Sequence, residues 1–305
     1  MSRPSDFLTF SSLPSSSSPP SRAPPSSSST LTRSPLPPPR SALLLTDTLD
    51  APAQFALVQF IQRALRPAAT GGGVGGKGEQ RKVVVVGAGE REEFWARVVR
   101  KTGIQLPAES SAGRFTYVDA TSPSVPLTEI YSSLLDVFSS SSSSSSPAPE
   151  TNGAGPIVII DDLSALVWRG EEVREVVRWW KAVRSAVDAA HASLITLLHG
   201  DSLSPSLPHI PSSVSRFSSS SSAAFSDPED QYVFRQVLAR SEVWMEVTGL
   251  VTGGGAGGTR GEITIHRGPA LLDDEGYAVD PSPPLQYKLE DNGAVFEVKG
   301  LGRFL

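Results

Sequence analysis

Two adjacent carboxylates, Asp161 and Asp162, are the residues best suited to chemistry, because they end the apolar run Ile157–Ile160. A buried strand ending in a carboxylate is typical of the Walker B segment of nucleoside triphosphatases, in which the carboxylate holds the magnesium shell. The structural alternative is that a parallel strand ends in Asp simply to cap the next turn. The segment therefore favours a fold of this class more than it favours the activity.

A triphosphate site also needs a phosphate-binding loop, and Gly71–Gly78 is the first of three candidates. Its spacing fits G-x-x-x-x-G-K, but Gly78 stands where a Ser or Thr hydroxyl would bind magnesium. Such a loop must lie between a strand and the helix that it opens, so that backbone amides meet the phosphates. Gly71–Gly78 instead follows a predicted helix and leads into a predicted strand, and we interpret it as a flexible linker.

Gly87-Ala-Gly89 is the second candidate, because it follows a predicted strand and precedes a predicted helix, as a dinucleotide-binding turn does. The third glycine of that fingerprint is absent, since Glu92 occupies its position. Glu90 and Glu92 would also place negative charge where a pyrophosphate lies. We therefore expect no dinucleotide at this turn.

The third candidate is the turn Thr46–Pro52 after the first predicted strand, which is where a RecA-like phosphate loop belongs. It contains no lysine to reach the β- and γ-phosphates and no glycine to shape a nest of amides. Asp47 and Asp50 would repel a triphosphate, and Asp50 is expected to cap the helix that follows. We predict a degenerate nucleotide site here, with no catalytic residue, no metal ligand and no confident cofactor contact; its positions are Thr46, Asp47, Thr48, Asp161 and Asp162.

Apolar runs and helical periodicity predict the elements that position these residues. Buried strands are predicted at 42–46, 82–86, 114–119, 156–161 and 193–198, with helices near 52–65, 91–101, 128–138, 171–190 and 229–240. Later strands are predicted at 243–250, 262–267, 285–289 and 295–299, the last two joined by a hairpin turn at Asp291-Asn-Gly293. The order predicts an α/β fold: a RecA-like, mostly parallel twisted sheet with flanking helices and an antiparallel C-terminal extension.

Composition divides the chain of 305 residues into a tail and one domain. Residues 1–40 are rich in Ser and Pro and are expected to be a disordered tail. A mitochondrial presequence is not expected there, because prolines from Pro19 to Pro39 oppose an amphipathic helix. Residues 41–305 are expected to form a single RecA-like domain with disordered insertions near 68–80, 139–155 and 202–227.

The absence of cysteine excludes disulfides and thiolate chemistry, and the four histidines share no metal-ligand spacing. No apolar run is long enough for a membrane span. The formal net charge of −5 argues against strong, autonomous nucleic-acid binding but leaves room for a local basic patch in an assembly.

Taken together, these segments resemble the Elongator complex protein 6 family of RecA-like accessory subunits. The resemblance rests on Leu43–Pro52, on Ile157–Val167 with the amphipathic helix after it, and on strands around Val247–Leu250, Gly261–Gly268 and Tyr287–Leu289. It covers about residues 41–305 without the serine-rich insertions. The RecA-like order together with an empty phosphate-loop position carries most of the weight.

The resemblance implies a non-catalytic subunit that joins Elongator subunits four and five in a hetero-hexameric ring. That ring docks on the catalytic Elongator subunits, which modify the wobble uridine of certain tRNAs at carbon 5, and it binds tRNA. The implied location is the cytoplasm, with the nucleus as a second compartment and no membrane partner. No cofactor is expected on this chain, although ATP binding at ring interfaces stays open.

Two alternatives remain open beside this reading. One is an autonomous nucleoside triphosphatase with an unconventional phosphate loop, using Asp161 or Asp162 as magnesium ligand and a remote arginine such as Arg260 or Arg267. The other is a small-molecule enzyme on a Rossmann-like sheet, supported only by Gly87-Ala-Gly89.

In the predicted helix 171–190, Trp179 and Trp180 lie on different faces, so one could serve a subunit interface unless the helix is buried broadly.

Overall fold

The computed structural model describes residues 10–12, 33–48, 50–66, 80–142, 155–200, 228–249, 260–272, 277–279, 284–290 and 293–298. The predicted linker Gly71–Gly78 lies outside the described residues, as do most of the three predicted insertions. One serine tract begins inside the fold, because the helix before it continues to Ser142.

In these residues the strands are β1 (Phe10–Ser12), β2 (Arg33–Ser34), β3 (Ala42–Asp47), β4 (Val83–Gly87), β5 (Phe115–Asp119), β6 (Ile157–Ile160), β7 (Ser193–His199), β8 (Val243–Gly249), β9 (Arg260–Arg267), β10 (Tyr277–Val279), β11 (Leu285–Glu290) and β12 (Gly293–Val298). The helices are α1 (Gln54–Leu65), α2 (Glu92–Arg100), α3 (Leu106–Ser111), α4 (Leu127–Ser142), α5 (Leu163–Trp168), α6 (Val173–Ala189) and α7 (Pro228–Leu238). Every strand and helix predicted from residue 42 onward is present. The short elements β10, α3 and α5 were not predicted.

Nine of the described strands form one sheet, in the order β12-β11-β9-β8-β3-β7-β6-β4-β5. The six strands from β8 to β5 are parallel to their neighbours, and β9, β11 and β12 continue the sheet in antiparallel fashion. The predicted antiparallel extension therefore starts one strand later than expected. The reason is α7, which carries the chain from β7 across to β8 and so keeps β8 parallel to β3.

Both faces of the central strands β3, β4, β6 and β7 are buried, which explains why their sequences are mostly apolar. Alternate residues of β3 show this: Leu43 and Leu45 pack in a cluster with α1 and α2, whereas Ala42 and Leu44 pack in a second cluster with α4, α6 and α7. The result is a three-layer α/β domain. The carboxyl ends of β3, β4, β6 and β7 lie along one edge of its sheet.

The Ser/Pro-rich tail contributes two short strands that the composition did not predict. β1 pairs with β2 and with β10 in a small antiparallel sheet. Phe10 and Leu36 are buried in the cluster that contains α1, so these few apolar residues anchor segments of an otherwise polar stretch. Among the described residues, no helix is long and apolar enough to cross a membrane.

Candidate functional site

Three of the predicted site residues, Asp47, Asp161 and Asp162, lie along the carboxyl edge of the sheet because of the strand order. β7 lies between β3 and β6, so the end of β7 separates the ends of the other two strands. Asp47 is the last residue of β3, and Asp161 and Asp162 follow β6 directly. His199 is the last residue of β7 and stands between these carboxylates.

The Asp47 carboxylate is buried and is used in two contacts. Its Oδ2 accepts a hydrogen bond from the N–H of Ala53 at 2.7 Å, and its Oδ1 lies 2.5 Å from His199 Nδ1. Asp50 was expected to cap this helix but lies too far before it in the sequence. The chain first forms a turn, in which Ala51 N–H donates to Thr48 O, and α1 begins only at Gln54. Asp47 thus satisfies an amide at the start of α1 in place of Asp50.

Asp162 closes the other side of the histidine. Its Oδ1 caps α5 by accepting from Ala165 N–H at 3.1 Å, and its Oδ2 lies 3.1 Å from His199 Nε2. The two carboxylates, Asp162 first and Asp47 second, raise the pKa of His199 to about 10 against the opposing effect of burial. His199 is therefore an imidazolium at neutral pH, and it offsets part of the negative charge of the two carboxylates beside it. We call Asp47, His199 and Asp162 the histidine clamp.

Asp161 faces the turn after β4 and belongs to a separate cluster. Its Oδ1 accepts from the N–H groups of Ala88 and Gly89 at 2.6 and 3.0 Å. Its Oδ2 accepts from Glu90 N–H and from the Trp95 indole, both at 3.1 Å. A carboxylate offers about four lone-pair sites, and here all four are used. Burial nonetheless raises the pKa of Asp161 to about 6, because the four hydrogen bonds only partly offset desolvation.

The glycines of the turn after β4 have steric roles. A Cβ on Gly87 would lie 2.0 Å from the Tyr117 hydroxyl oxygen, and a Cβ on Gly89 would lie 2.9 Å from Cβ of Asp162. The amides that could have bound a pyrophosphate are given to Asp161 instead. The two glycines of Gly87-Ala-Gly89 are thus explained by close packing, and the amides of the turn by their hydrogen bonds to the Asp161 carboxylate.

Thr46 and Thr48 are the two other predicted positions. The Thr46 hydroxyl is buried and accepts a hydrogen bond from the Trp244 indole of β8 at 2.9 Å. Thr48 contributes backbone contacts to Ala51 within the turn. Asp47 and Asp162 are therefore brought together through His199, whereas Asp161, Thr46 and Thr48 serve neighbouring contacts.

Comparison with known proteins identifies the fold. No protein-family model matches the chain, and no curated protein matches it. Among solved structures it is similar to the KaiC-like protein PH0186 from the hyperthermophilic archaeon Pyrococcus horikoshii OT3, with a TM-score of 0.54 and 11% identity over 85% of this chain and 90% of that one. The fold is RecA-like. At this identity the similarity concerns the fold alone.

The RecA-like sheet presents a carboxyl edge whose polar groups bind one another. The amides after β4 contact Asp161, the amide before α1 contacts Asp47, and the imidazolium lies between two carboxylates. Within the described residues, no group of three or more His, Cys, Asp or Glu side chains is arranged to hold a metal ion. Chemically, the arrangement stabilises turns and helix starts, and the His199 imidazolium is already paired with two carboxylates.

Sequence reasoning missed His199 and Trp168. Trp168, the last residue of α5, stacks flat on the His199 ring with centroids 5.2 Å apart and planes 5° from parallel, and it is 57% exposed. One signal was available for His199: it directly follows the predicted strand 193–198, just as Asp47 directly follows the predicted strand 42–46. The stacking of Trp168 had no such signal, because it depends on where α5 ends.

The tryptophans of α6 did not provide an exposed interface residue. Trp179 and Trp180 are both buried, and the Trp180 indole donates to Thr196 Oγ1 at 3.0 Å. The alternative of a broadly buried helix is therefore the correct one. α6 is covered by α4 and α7 as well as by the sheet, which leaves Trp168 as the exposed tryptophan among the described residues.

Proposed function

We propose that this chain is a non-catalytic, RecA-like assembly subunit. The observation that carries the proposal is the saturated carboxyl edge of the sheet. A triphosphate with its magnesium ion requires free backbone amides, a lysine or arginine, and a carboxylate able to hold the metal shell. Here Asp161 accepts four hydrogen bonds from the chain, and Asp47 and Asp162 share one imidazolium. Binding a nucleotide at this edge would require these contacts to break.

More specifically, we propose that the chain is an Elongator complex protein 6, acting in the accessory ring with subunits four and five. The segments that carry the resemblance belong to one sheet: Leu43–Pro52 is β3 with its turn, Ile157–Val167 is β6 with most of α5, and Gly261–Gly268 is most of β9 with the residue after it. In this proposal the ring contacts the catalytic Elongator subunits and tRNA in the cytoplasm, with the nucleus as a second compartment. Its role supports wobble-uridine modification.

The proposal includes no catalytic activity and no resident cofactor for the isolated chain. The rival, an autonomous nucleoside triphosphatase using Asp161 or Asp162 as magnesium ligand, needs an oxygen that the chain does not already use. Asp161 meets that requirement least, because it is 2% exposed and each of its oxygens accepts two N–H groups. ATP at a ring interface would have to be held chiefly by another subunit.

Affinity purification of the full, tagged chain tests the assembly role. We expect two further RecA-like chains to be recovered in equal amounts, together with larger Elongator subunits under mild conditions. A matched control is a tagged chain carrying Val85→Asp, which places a charge in a fully buried strand and should lose the partners together with the fold. Recovery of a folded, isolated chain with no RecA-like partner would overturn the proposal.

Nucleotide binding by the isolated chain separates the proposal from its rival. We expect no magnesium-dependent thermal shift and no hydrolysis with ATP or GTP at millimolar concentration. Asp162→Asn is the informative variant, because it keeps the shape of the α5 cap while removing a charge that a metal would need. Tight ATP binding by the wild type that is lost in Asp162→Asn would establish the rival function.

A further inference from the structure

A cleft of about 540 Å³ lies between the loop that joins α5 to α6 and the start of α7. Val167 and Val173 supply apolar lining, and Tyr232 of α7 lines the opposite wall with 41% of its surface exposed. We call this the α5–α7 cleft. It combines an exposed aromatic ring with a recess.

Trp168, the last residue of α5, directly follows Val167, which lines the cleft. Its ring lies against His199, which is itself held on both sides by Asp47 and Asp162. An exposed tryptophan that is already fixed in one orientation loses little conformational entropy when a partner covers it. Large, preorganised aromatic side chains of this kind carry most of the binding energy in protein interfaces.

The charged residues that line the cleft favour a positively charged partner. Its lining includes three carboxylates, Glu171, Glu172 and Glu229, against one guanidinium, Arg174. Glu171 already forms an ion pair with Arg169 at 3.0 Å, whereas Glu172 is exposed before the first turn of α6. Together with Arg169 and Arg174, these three glutamates leave one net negative charge, which disfavours the phosphate backbone of an RNA stacked on Trp168.

A guanidinium fits the same features. It pairs with carboxylates through two parallel hydrogen bonds and lies flat on an aromatic face such as Tyr232. Trp168 has a different role in binding. One face of its ring is already covered by the His199 imidazolium, so Trp168 contributes apolar contact area. Arginine with adjacent apolar residues therefore satisfies both parts of the surface.

We propose that Trp168 and the α5–α7 cleft together bind an arginine-bearing segment of a protein partner. This inference deepens the proposed assembly role, on which it rests for the class of partner, and it adds the location and the chemistry of one contact. The occupant is a protein segment with arginine next to apolar side chains; RNA, a second copy of this chain and the chain's own residues 201–227 are the competing occupants.

Two variants test the surface in the full chain. Trp168→Ala removes the aromatic anchor, and Glu172→Arg reverses an exposed charge that makes no contact with the core. Their matched controls are Leu272→Ala, which truncates a side chain that is 60% exposed elsewhere, and Glu93→Arg on the exposed face of α2. Circular dichroism and thermal melting of all four variants establish that each is folded before binding is compared.

The first measurement uses a short fluorescein-labelled peptide of alternating arginine and leucine, followed by fluorescence anisotropy. We expect saturable binding to the wild type, weakened about tenfold or more by Trp168→Ala and by a smaller factor by Glu172→Arg, with the controls unchanged. Affinity should fall with added NaCl. Equal binding by all variants, or tighter binding of a short single-stranded RNA or of a glutamate-leucine peptide, overturns the inference.

The second measurement repeats the affinity purification with each variant. The inference expects partner recovery to fall with Trp168→Ala and Glu172→Arg and to persist with the controls. Partners recovered equally by every variant would sink the inference and leave the assembly role standing. Absence of partners for the wild type would sink the assembly role, while the peptide measurement would still decide whether the surface binds arginine-bearing segments.

Two further results would assign the surface to a competing occupant and overturn the inference. Concentration-dependent dimerisation that is lost in Trp168→Ala would assign it to a second copy of the chain. Peptide binding that appears only after deletion of residues 201–227 would assign it to that segment.

Discussion

Replacing Asp161 by alanine tests whether this carboxylate holds the turn after β4 as an internal anion. The change removes the acceptor for four donors: the N–H groups of Ala88, Gly89 and Glu90 and the indole of Trp95. Each unsatisfied buried donor costs about 1–3 kcal/mol, and entry of water into the vacated space relieves part of that cost. The ionised carboxylate is itself costly to bury, which reduces the net effect further.

We therefore expect Asp161→Ala to lower the free energy of unfolding by about 3–5 kcal/mol, the range seen when one member of a buried charged network is removed. For a domain of this size that corresponds to a fall of about 10 °C in Tm. Asp161→Asn should lose less, because it keeps one carbonyl oxygen for two donors but turns its amide N–H₂ toward the others.

The assay is thermal and urea unfolding of the full chain near pH 7.5, with and without sodium formate. Formate is a carboxylate small enough to occupy the space left by the aspartate side chain, so it should raise the Tm of Asp161→Ala in a saturable way. Sodium chloride at equal ionic strength is the control. Asp161→Asn should not respond, because its side chain still fills the space.

Two results would refute this reasoning. One is an Asp161→Ala protein that melts within about 2 °C of the wild type, since that difference corresponds to less than about 1 kcal/mol. The other is a large loss of stability that formate does not restore while chloride does, which would indicate a general electrostatic effect. Either result would mean that the turn is held by contacts other than the carboxylate.

Three further predictions concern neighbouring contacts. The pKa of His199 is raised from 6.5 to about 10 in the folded state, so its contribution to the free energy of unfolding is complete below about pH 6.5 and is lost as pH rises through 10. Urea unfolding should therefore show a decline of up to about 4 kcal/mol over that range, and the decline should be absent in His199→Asn. Arg81→Met removes donors to carbonyl oxygens of Pro37 and Gly155 and to Ser193 Oγ, and should cost about 3 kcal/mol or more while accelerating amide exchange at the start of β4. Gly89→Ala should cost about 1–3 kcal/mol in thermal melting, because the new Cβ meets Asp162.

Apolar runs were sufficient to predict the parallel core. Strands buried on both faces leave an unmistakable pattern, as in Val83–Val86 and Ile157–Ile160, and the helices between them leave a clear period. The short elements left none: α5 has six residues, and β10 has three. The parallel placement of β8 was also missed, because its sequence does not reveal that α7 returns the chain to the same end of the sheet.

The sequence was sufficient to predict which positions lie at the site but not which side chains contact one another there. The missing lysine and glycines at Thr46–Pro52 could be read directly from the sequence. The pairing of Asp47 and Asp162 through His199 requires β7 to lie between β3 and β6, which is a property of sheet order. The four donors around Asp161 come from one turn and one helix, and only folding brings them to the end of β6.

The sequence predicts a degenerate phosphate site, and the structure shows how the polar groups at that position are used. In a vacant site, adding a lysine to the turn after β3 could restore phosphate binding. Here a new lysine would pair with Asp47 and Asp162, the carboxylates that already hold His199, and the amides after β4 would still be bound to Asp161. If the chain acts in a ring as proposed, any nucleotide dependence of that ring must therefore originate in groups supplied by the other subunits.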